Sequence, residues 1–169
     1  PQYSDEKSID KAKDVCEQLG CTVASAVRQR GLWFALLRHT RDLLSWRRYL
    51  TNEEVGYLKP FRQDWRSHLP FFDKVVVKIP GAERLLATNV GAQSLQWVER
   101  VAPLNKRILQ EVAAIEPDVI IASPVNMRNS SVEIEYLKAG RALGIPVAIQ
   151  VISWDNLTVR GLFHIEPDV

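Results

Sequence analysis

The chain is expected to fold as an α/β protein, three layers built around a mostly parallel sheet whose first strand is missing. Three observations lead there. Strand-like and helix-like stretches alternate along most of the chain, the pattern of a sheet covered by helices. Two apolar β-type runs, Asp118-Val119-Ile120-Ile121-Ala122 and Ile145 to Ile152, each empty into a polar cluster, Ser123-Pro124-Val125-Asn126 and Ser153-Trp154-Asp155-Asn156-Leu157-Thr158. A tetrapeptide recurs: Glu116-Pro117-Asp118-Val119 opens the first run and Glu166-Pro167-Asp168-Val169 ends the chain. Proline pushes its predecessor toward extended geometry and fits the first residue of a strand. The second copy therefore reads as the opening of a further strand. With Pro1 in place of an initiator and Met127 as the sole methionine, the chain is expected to be an interior piece of a longer protein.

Each element has its own warrant. Ser4 to Gly20 predicts a helix with acidic residues near its start and a glycine stop. Cys21 to Val27 is a short β-type run, so helix, glycine and strand suggest the middle of a βαβ repeat. Leu32 to Tyr49 spaces Trp33, Leu36, Leu37 and Leu44 among arginines, a helix with a basic face. Asn52 to Ser67 predicts a shorter helix interrupted near Pro60, and Val75-Val76-Val77-Lys78-Ile79 a strand or an extended connector ended by Pro80-Gly81. Ala82 to Arg100 reads as helix, and Pro103 as the first residue of the next, with Leu104, Ile108, Val112 and Ile115 on one face. Ser130 and Glu133 have capping-box spacing for a helix to Leu143, its inward stripe Val132, Tyr136, Ala139 and Leu143, stopped by Gly144.

Composition narrows the classes. A length of 169 residues with 46% hydrophobic content supports one core, so residues 1–169 are expected to form a single domain. A formal net charge of +2 does not call for a nucleic-acid partner. Cys16 and Cys21 lack CxxC spacing and a histidine set, so no zinc motif is legible and two reduced thiols are expected. No apolar run has membrane-spanning length and no secretory signal is visible, which favours a cytoplasmic location.

Parallel strands joined through a helix cross over right-handedly, so both polar tips should share one edge of the sheet. Ligands of open α/β sheets bind there. Asp155 and Asn156 are the foremost candidates: a carboxylate at a strand tip orients a hydroxyl or accepts its proton, and Trp154 offers a flat surface to a sugar or base ring. Capping of a turn toward Leu157 and Thr158 explains the same two residues equally well. Ser123 and Asn126 have the position, with turn formation around Pro124 as the plainer explanation. Arg128 beside them suits an anionic group or a solvated loop. His164 follows the cluster and is a candidate general base. His39 and His68 have no visible supporting constellation. No Ser-His-Asp order, HExxH, GxxxxGK or GxGxxG is present. Residues 28–66 carry nine basic residues against four acidic ones, interleaved with Trp33, Phe34, Trp46, Tyr49, Tyr57, Phe61 and Trp65. That composition suits an anionic membrane surface or single-stranded nucleic acid, or simply a solvated basic face above a core of aromatics.

The run Arg141-Ala142-Leu143-Gly144-Ile145-Pro146-Val147, the loop Ser153–Thr158 and Gly161-Leu162 resemble a bacterial family of glycosyltransferase-like proteins of the GT-B type. The matching elements are Pro117-Asp118-Val119, Leu143-Gly144-Ile145-Pro146, the Ser153-Trp154-Asp155-Asn156-Leu157-Thr158 loop and Pro167-Asp168. The match is specific from Glu116 onward and general upstream. The resemblance implies an amino-terminal Rossmann-like half that handles a hydroxyl acceptor, facing a carboxy-terminal half that holds a nucleotide-sugar donor. It carries over Asp155, Asn156 and His164 as motif positions; with the strand-tip residues Ser123, Asn126, Ser153 and Trp154 they make up the expected site, Asp155 and His164 as its catalytic candidates, with neither metal nor bound cofactor expected. Peripheral contact with the inner membrane through residues 28–66 is compatible with it. A nucleotide-sugar epimerase, a polyol-phosphate transferase and a non-catalytic carbohydrate- or protein-binding domain are the competing readings. Without the donor half, the chain alone is expected to lack transferase activity.

Overall fold

A computed structural model describes residues 13–22, 24, 26–27, 29–52, 58–123, 132–151, 162 and 164–168. It is mostly helical. The elements are α1 (residues 13–18), α2 (Leu32–Thr51), α3 (Leu58–His68), α4 (Phe71–Lys78), α5 (Ala82–Ala87), α6 (Asn89–Val101), α7 (Lys106–Ile115), β1 (Ile120–Ala122), α8 (Glu133–Ala142) and β2 (Val147–Ile149). The two strands form a parallel pair, with Ile120 opposite Val147, Ile121 opposite Ala148 and Ala122 opposite Ile149. The three-layer Rossmann-like expectation is thereby overturned: among the described residues the sheet has two strands, and helices supply most of the packing surface.

The reason lies in where apolar side chains are spent. The 20-residue helix α2 buries Leu43, Trp46 and Tyr49 against Leu69, Val77 of α4 and Leu86 of α5. This is a helix-on-helix core, and it consumes the aromatics that a wider sheet would need. The valine run expected as a strand is helix α4. There Asp73 and Val77 stand four residues apart on one buried face, and the acidic Asp73 lies in the first turn, where the helix dipole favours it. Tertiary packing has overridden β-propensity. No strand forms among the described residues of the 21–27 run. Of the helix expected over Ser4 to Gly20, residues 13–18 are helical, and Gly20 follows in the left-handed region at φ 70°.

Other boundaries shift for local reasons. Residues 53–57 of the helix expected over Asn52 to Ser67 lie outside the described residues; from Leu58 to His68 α3 runs unbroken through Pro60. The stretch from Ala82 to Arg100 is two helices. Thr88 ends α5 and caps α6, its Oγ1 accepting from Gly91 N at 3.0 Å. Helix α7 starts at Lys106, not at Pro103, because Asn105 Oδ1 accepts from Arg107 N and Ile108 N at 3.1 and 3.4 Å. Its buried stripe is Ile108 and Val112, with Ile115 left exposed. Glu116 ends that helix at φ 49°, ψ 52°, so its place after α7 outweighs the extended bias that Pro117 imposes.

The carboxy-terminal part keeps the expected β1–α8–β2 order. Helix α8 buries Ile134 and Leu137 over Ala122 and Val147, and Ala139 toward Ile108 and Val112 of α7. Tyr136 and Val132 are half-buried and Leu143 is exposed, so the inward stripe is rotated from the expected one. Ser130 lies outside the described residues. Beyond β2, Asp168 N donates to Val147 O and Val147 N to Asp168 Oδ2, each at 2.9 Å, which sets the second Pro-Asp copy alongside the strand.

Gly91 marks the tightest approach in the helical part. A Cβ there would stand 2.3 Å from the Leu85 carbonyl oxygen. Alanine is the better helix former by about 1 kcal/mol, yet Gly91→Ala should lower stability by about 1–3 kcal/mol because backbone must shift. A urea melt showing equal or greater stability would refute this packing of α5 on α6.

Candidate functional site

The carboxyl ends of β1 and β2 lie side by side. Gln150 N donates to Ala122 O at 2.9 Å, and Ser123 Oγ donates to Gln150 O at 3.2 Å. Ser123 therefore sits at the carboxyl edge of the pair, beside Gln150. Asn126, Ser153, Trp154, Asp155 and Asn156 lie outside the described residues, as does Arg128. The shared edge, required by a parallel pair with a helical crossover, is present.

His164 belongs to different surroundings. Its Nε2 is withdrawn from solvent and finds no hydrogen-bond partner among the described residues. Burial first, and then the Arg41 guanidinium, pull its pKa down to about 4, with Glu99 opposing. The ring is uncharged at neutral pH and weakly basic. The stretch around it spans from α2 to the sheet: Leu162 N donates to Ser45 Oγ at 3.4 Å, Ile165 packs on the Ala122–Leu137 cluster, and Arg141 Nη1 donates to Glu166 O at 3.0 Å.

Next to His164 lies a buried network of charges. Arg41, only 1% exposed, sends Nε and Nη2 to the two Glu99 oxygens at 3.0 and 2.6 Å, and Nη2 also to Glu135 Oε1 at 2.5 Å. Lys138 Nζ meets Glu99 Oε1 at 3.1 Å. Two cations and two carboxylates thus join α2, α6 and α8. Burial alone would lower the Arg41 pKa, but its two carboxylates raise it. Burial would likewise raise that of Glu99, yet Arg41 and Lys138 hold it below the ordinary carboxylate range. In sequence Arg41 reads as part of a solvated basic face. It is instead the most deeply buried cation described.

A second buried cluster sits on the same helix. His39 Nδ1 lies 2.9 and 3.0 Å from the two oxygens of Asp73, which is fully buried. Asp42, three residues after His39, points to the same place. A nitrogen of His39 and an oxygen from each aspartate lie within 4.8 Å of one another. Burial, then the neighbouring Asp73 charge, push the Asp42 pKa up to about 7, against a smaller opposing pull from Arg38. Among the described residues Asp42 Oδ2 has no hydrogen-bond partner, and the Arg38 guanidinium reaches it only at 4.0 Å. The half-buried His39 ring packs on Phe72 at 5.1 Å between centroids.

This cluster escaped the sequence reading. The one legible signal was the i, i+3 spacing of His39 and Asp42, which puts both on one helix face. Asp73 could not be added, since its own segment reads as the approach to a strand. Of the aromatics in residues 28–66, Trp46 and Tyr49 are core residues, while Phe61 and Trp65 pack against that core. Arg62 and Arg66 stand over the Trp46 ring at 5.6 and 5.9 Å. No helix among the described residues is long and apolar enough to cross a membrane.

Two predictions follow from these buried groups. Arg41→Ala strands two buried carboxylates and should cost about 3–5 kcal/mol, with Glu99→Gln in the same chain recovering part of the loss. A loss under about 1 kcal/mol in a denaturant titration, the scale of a surface pair, would show the network to be solvent-screened. The pH dependence carries two opposing terms. Asp42, raised from 3.8 to about 7, contributes stability that is present at low pH and lost as pH rises through 7. His164, lowered from 6.5 to about 4, contributes stability that is present above 6.5 and lost as pH falls through 4. The native protein should show a shallow profile from pH 4 to 7. Asp42→Asn should leave stability rising with pH across that window, and His164→Gln should leave it falling. Parallel profiles for the two variants would contradict both assignments.

Comparison of the chain with family models, curated proteins and solved structures gives no match.

Proposed function

We propose that this chain is the acceptor-side part of an enzyme that transfers a sugar from a nucleotide-sugar donor to a hydroxyl acceptor. The observation that supports this reading is the parallel β1–α8–β2 unit, which sets Ser123 beside Gln150 at the carboxyl edge of the pair. An acceptor bound at such an edge meets the chemistry that transfer needs. Asp155 orients the attacking hydroxyl and takes its proton, Trp154 stacks on the sugar ring, and Ser123, Asn126, Ser153 and Asn156 hydrogen-bond the remaining hydroxyls. Asp155 is preferred to His164 as the base, because the His164 ring is pulled down to about 4 and its Nε2 is shut away from solvent. The donor is held by a second domain. The reaction is cytoplasmic, and the exposed Leu32, Trp33 and Arg38 of the basic–aromatic segment are suited to peripheral contact with an anionic membrane.

The test is a substitution in the intact gene product, supplied with a panel of nucleotide sugars and hydroxyl acceptors. Release of the nucleoside diphosphate should depend on acceptor, and Asp155→Asn should lower turnover by about 10²–10⁴-fold with the fold unchanged. Turnover within about threefold of the native enzyme, well below that range, would leave Asp155 as a turn cap, since asparagine caps as well as aspartate. Saccharide binding without release from any donor would instead favour a carbohydrate-binding module.

A further inference from the structure

We propose that His39, Asp42 and Asp73 form a binding site for a divalent transition-metal ion of the zinc class, clipping α2 to α4. Three features of the cluster point to a cation. The donors are one imidazole nitrogen and two carboxylate oxygens, a set that zinc accepts, and they already lie within 4.8 Å of one another. Metal–ligand bonds of about 2.0–2.2 Å in a tetrahedral site need donors about 3.4 Å apart, so contraction by side-chain rotation suffices. The second feature is independent of the grouping. The Asp42 side chain is 4% exposed and its Oδ2 has no hydrogen-bond partner among the described residues. A buried carboxyl oxygen without a partner is costly. Arg38 relieves little of it, being 45% exposed and 4.0 Å away. A dication at the centre satisfies all three groups at once.

The third feature is access. The His39 side chain is 28% exposed whereas Asp73 is fully enclosed, so the cluster reaches solvent beside His39. An ion enters past His39 and keeps a fourth position for water there, as in sites with three protein ligands. In the metal-free form His39 Nδ1–H donates to Asp73, and the ion takes the place of that proton. Helix geometry supplies the preorganisation, since His39 and Asp42 share one face of α2 and Asp73 is carried by the first turn of α4.

Calorimetric titration of the metal-stripped protein with Zn²⁺, Mn²⁺ and Mg²⁺ tests this directly, independently of any transferase activity. One equivalent of Zn²⁺ should bind with micromolar or tighter affinity, Mn²⁺ more weakly, and Mg²⁺ without measurable heat. Loss of one partner behind a ligand weakens metal sites by about 10–100-fold, so removing a ligand should weaken this one by at least about 100-fold. Asp42→Asn and His39→Gln are the variants, and both keep side-chain volume. His68→Ala is the control for adventitious binding at the exposed His68–Asp64 pair, and its affinity should equal that of the native protein. Cobalt(II) adds a readout other than affinity: a tetrahedral site gives intense visible absorption, which Asp42→Asn should abolish. Absence of Zn²⁺ binding by the folded native protein would overturn the proposal. So would equal affinity in the Asp42 and His39 variants, or loss of binding in His68→Ala alone. Should one variant fail to fold, the other and the cobalt spectrum of the native protein decide.

Discussion

The guanidinium of Arg41 is the constraint on which the arrangement rests. An ion buried to this depth is tolerated only when nearly every donor is matched, and here Glu99 of α6 and Glu135 of α8 match it from two sides. Lys138 brings the group to neutrality. The three helices meet there at one point, so sliding or rotating any of them separates charges inside the protein. Apolar contacts adapt to small shifts; a four-charge lock does not. It joins the helical core around Trp46 to the βαβ unit, the two parts having largely separate hydrophobic clusters.

The same helix serves three polar neighbourhoods through its periodicity. Arg41 faces α6 and α8. Ser45, one turn later, receives Leu162 N and so helps hold the stretch that carries His164. His39 and Asp42 turn toward α4 and Asp73. A 3.6-residue repeat distributes adjacent residues around the helix, so a polar stretch in the middle of α2 can stay buried without its groups competing. The His164 imidazole is kept neutral by burial and then by the positive charge of Arg41, while the Asp42 carboxyl is kept protonated to higher pH by burial and by Asp73. Two groups of opposite type are thus displaced toward their uncharged forms on either side of one helix.

A sugar-transfer reading and a metal clip make different demands on this frame. The proposed transfer would use the carboxyl edge of the β1–β2 pair, where Ser123 is tied to the Gln150 carbonyl. The His39–Asp42–Asp73 cluster lies between α2 and α4, elements of the helical core. The lock at Arg41 stands between these parts of the fold. An ion at His39, Asp42 and Asp73 would brace α2 against α4 and so stiffen the platform on which the βαβ unit is fastened.

What was legible in the sequence was local. The helix over Leu32 to Tyr49, the glycine stop at Gly144, with φ 73°, and the parallel β1–α8–β2 order follow from periodicity, turn chemistry and the handedness of crossovers. These depend on residues close together in the chain. The position of Ser123 at the strand edge was legible for the same reason. The wider sheet was not realised. Val75, Val76 and Val77 have the side chains of a strand, but Val77 and Asp73 point together into the α2 surface only in a helix, and burial of that face outweighs propensity. The polar clusters were beyond the sequence for a plainer reason. Asp73 is 34 residues from His39, and Glu135 is 94 from Arg41. No periodicity in the chain encodes such separations. The sequence determined which faces were apolar and where helices could stop; the packing of α2 against α4, α6 and α8 decided which charges were drawn inside and paired, because only burial makes an unmatched charge costly.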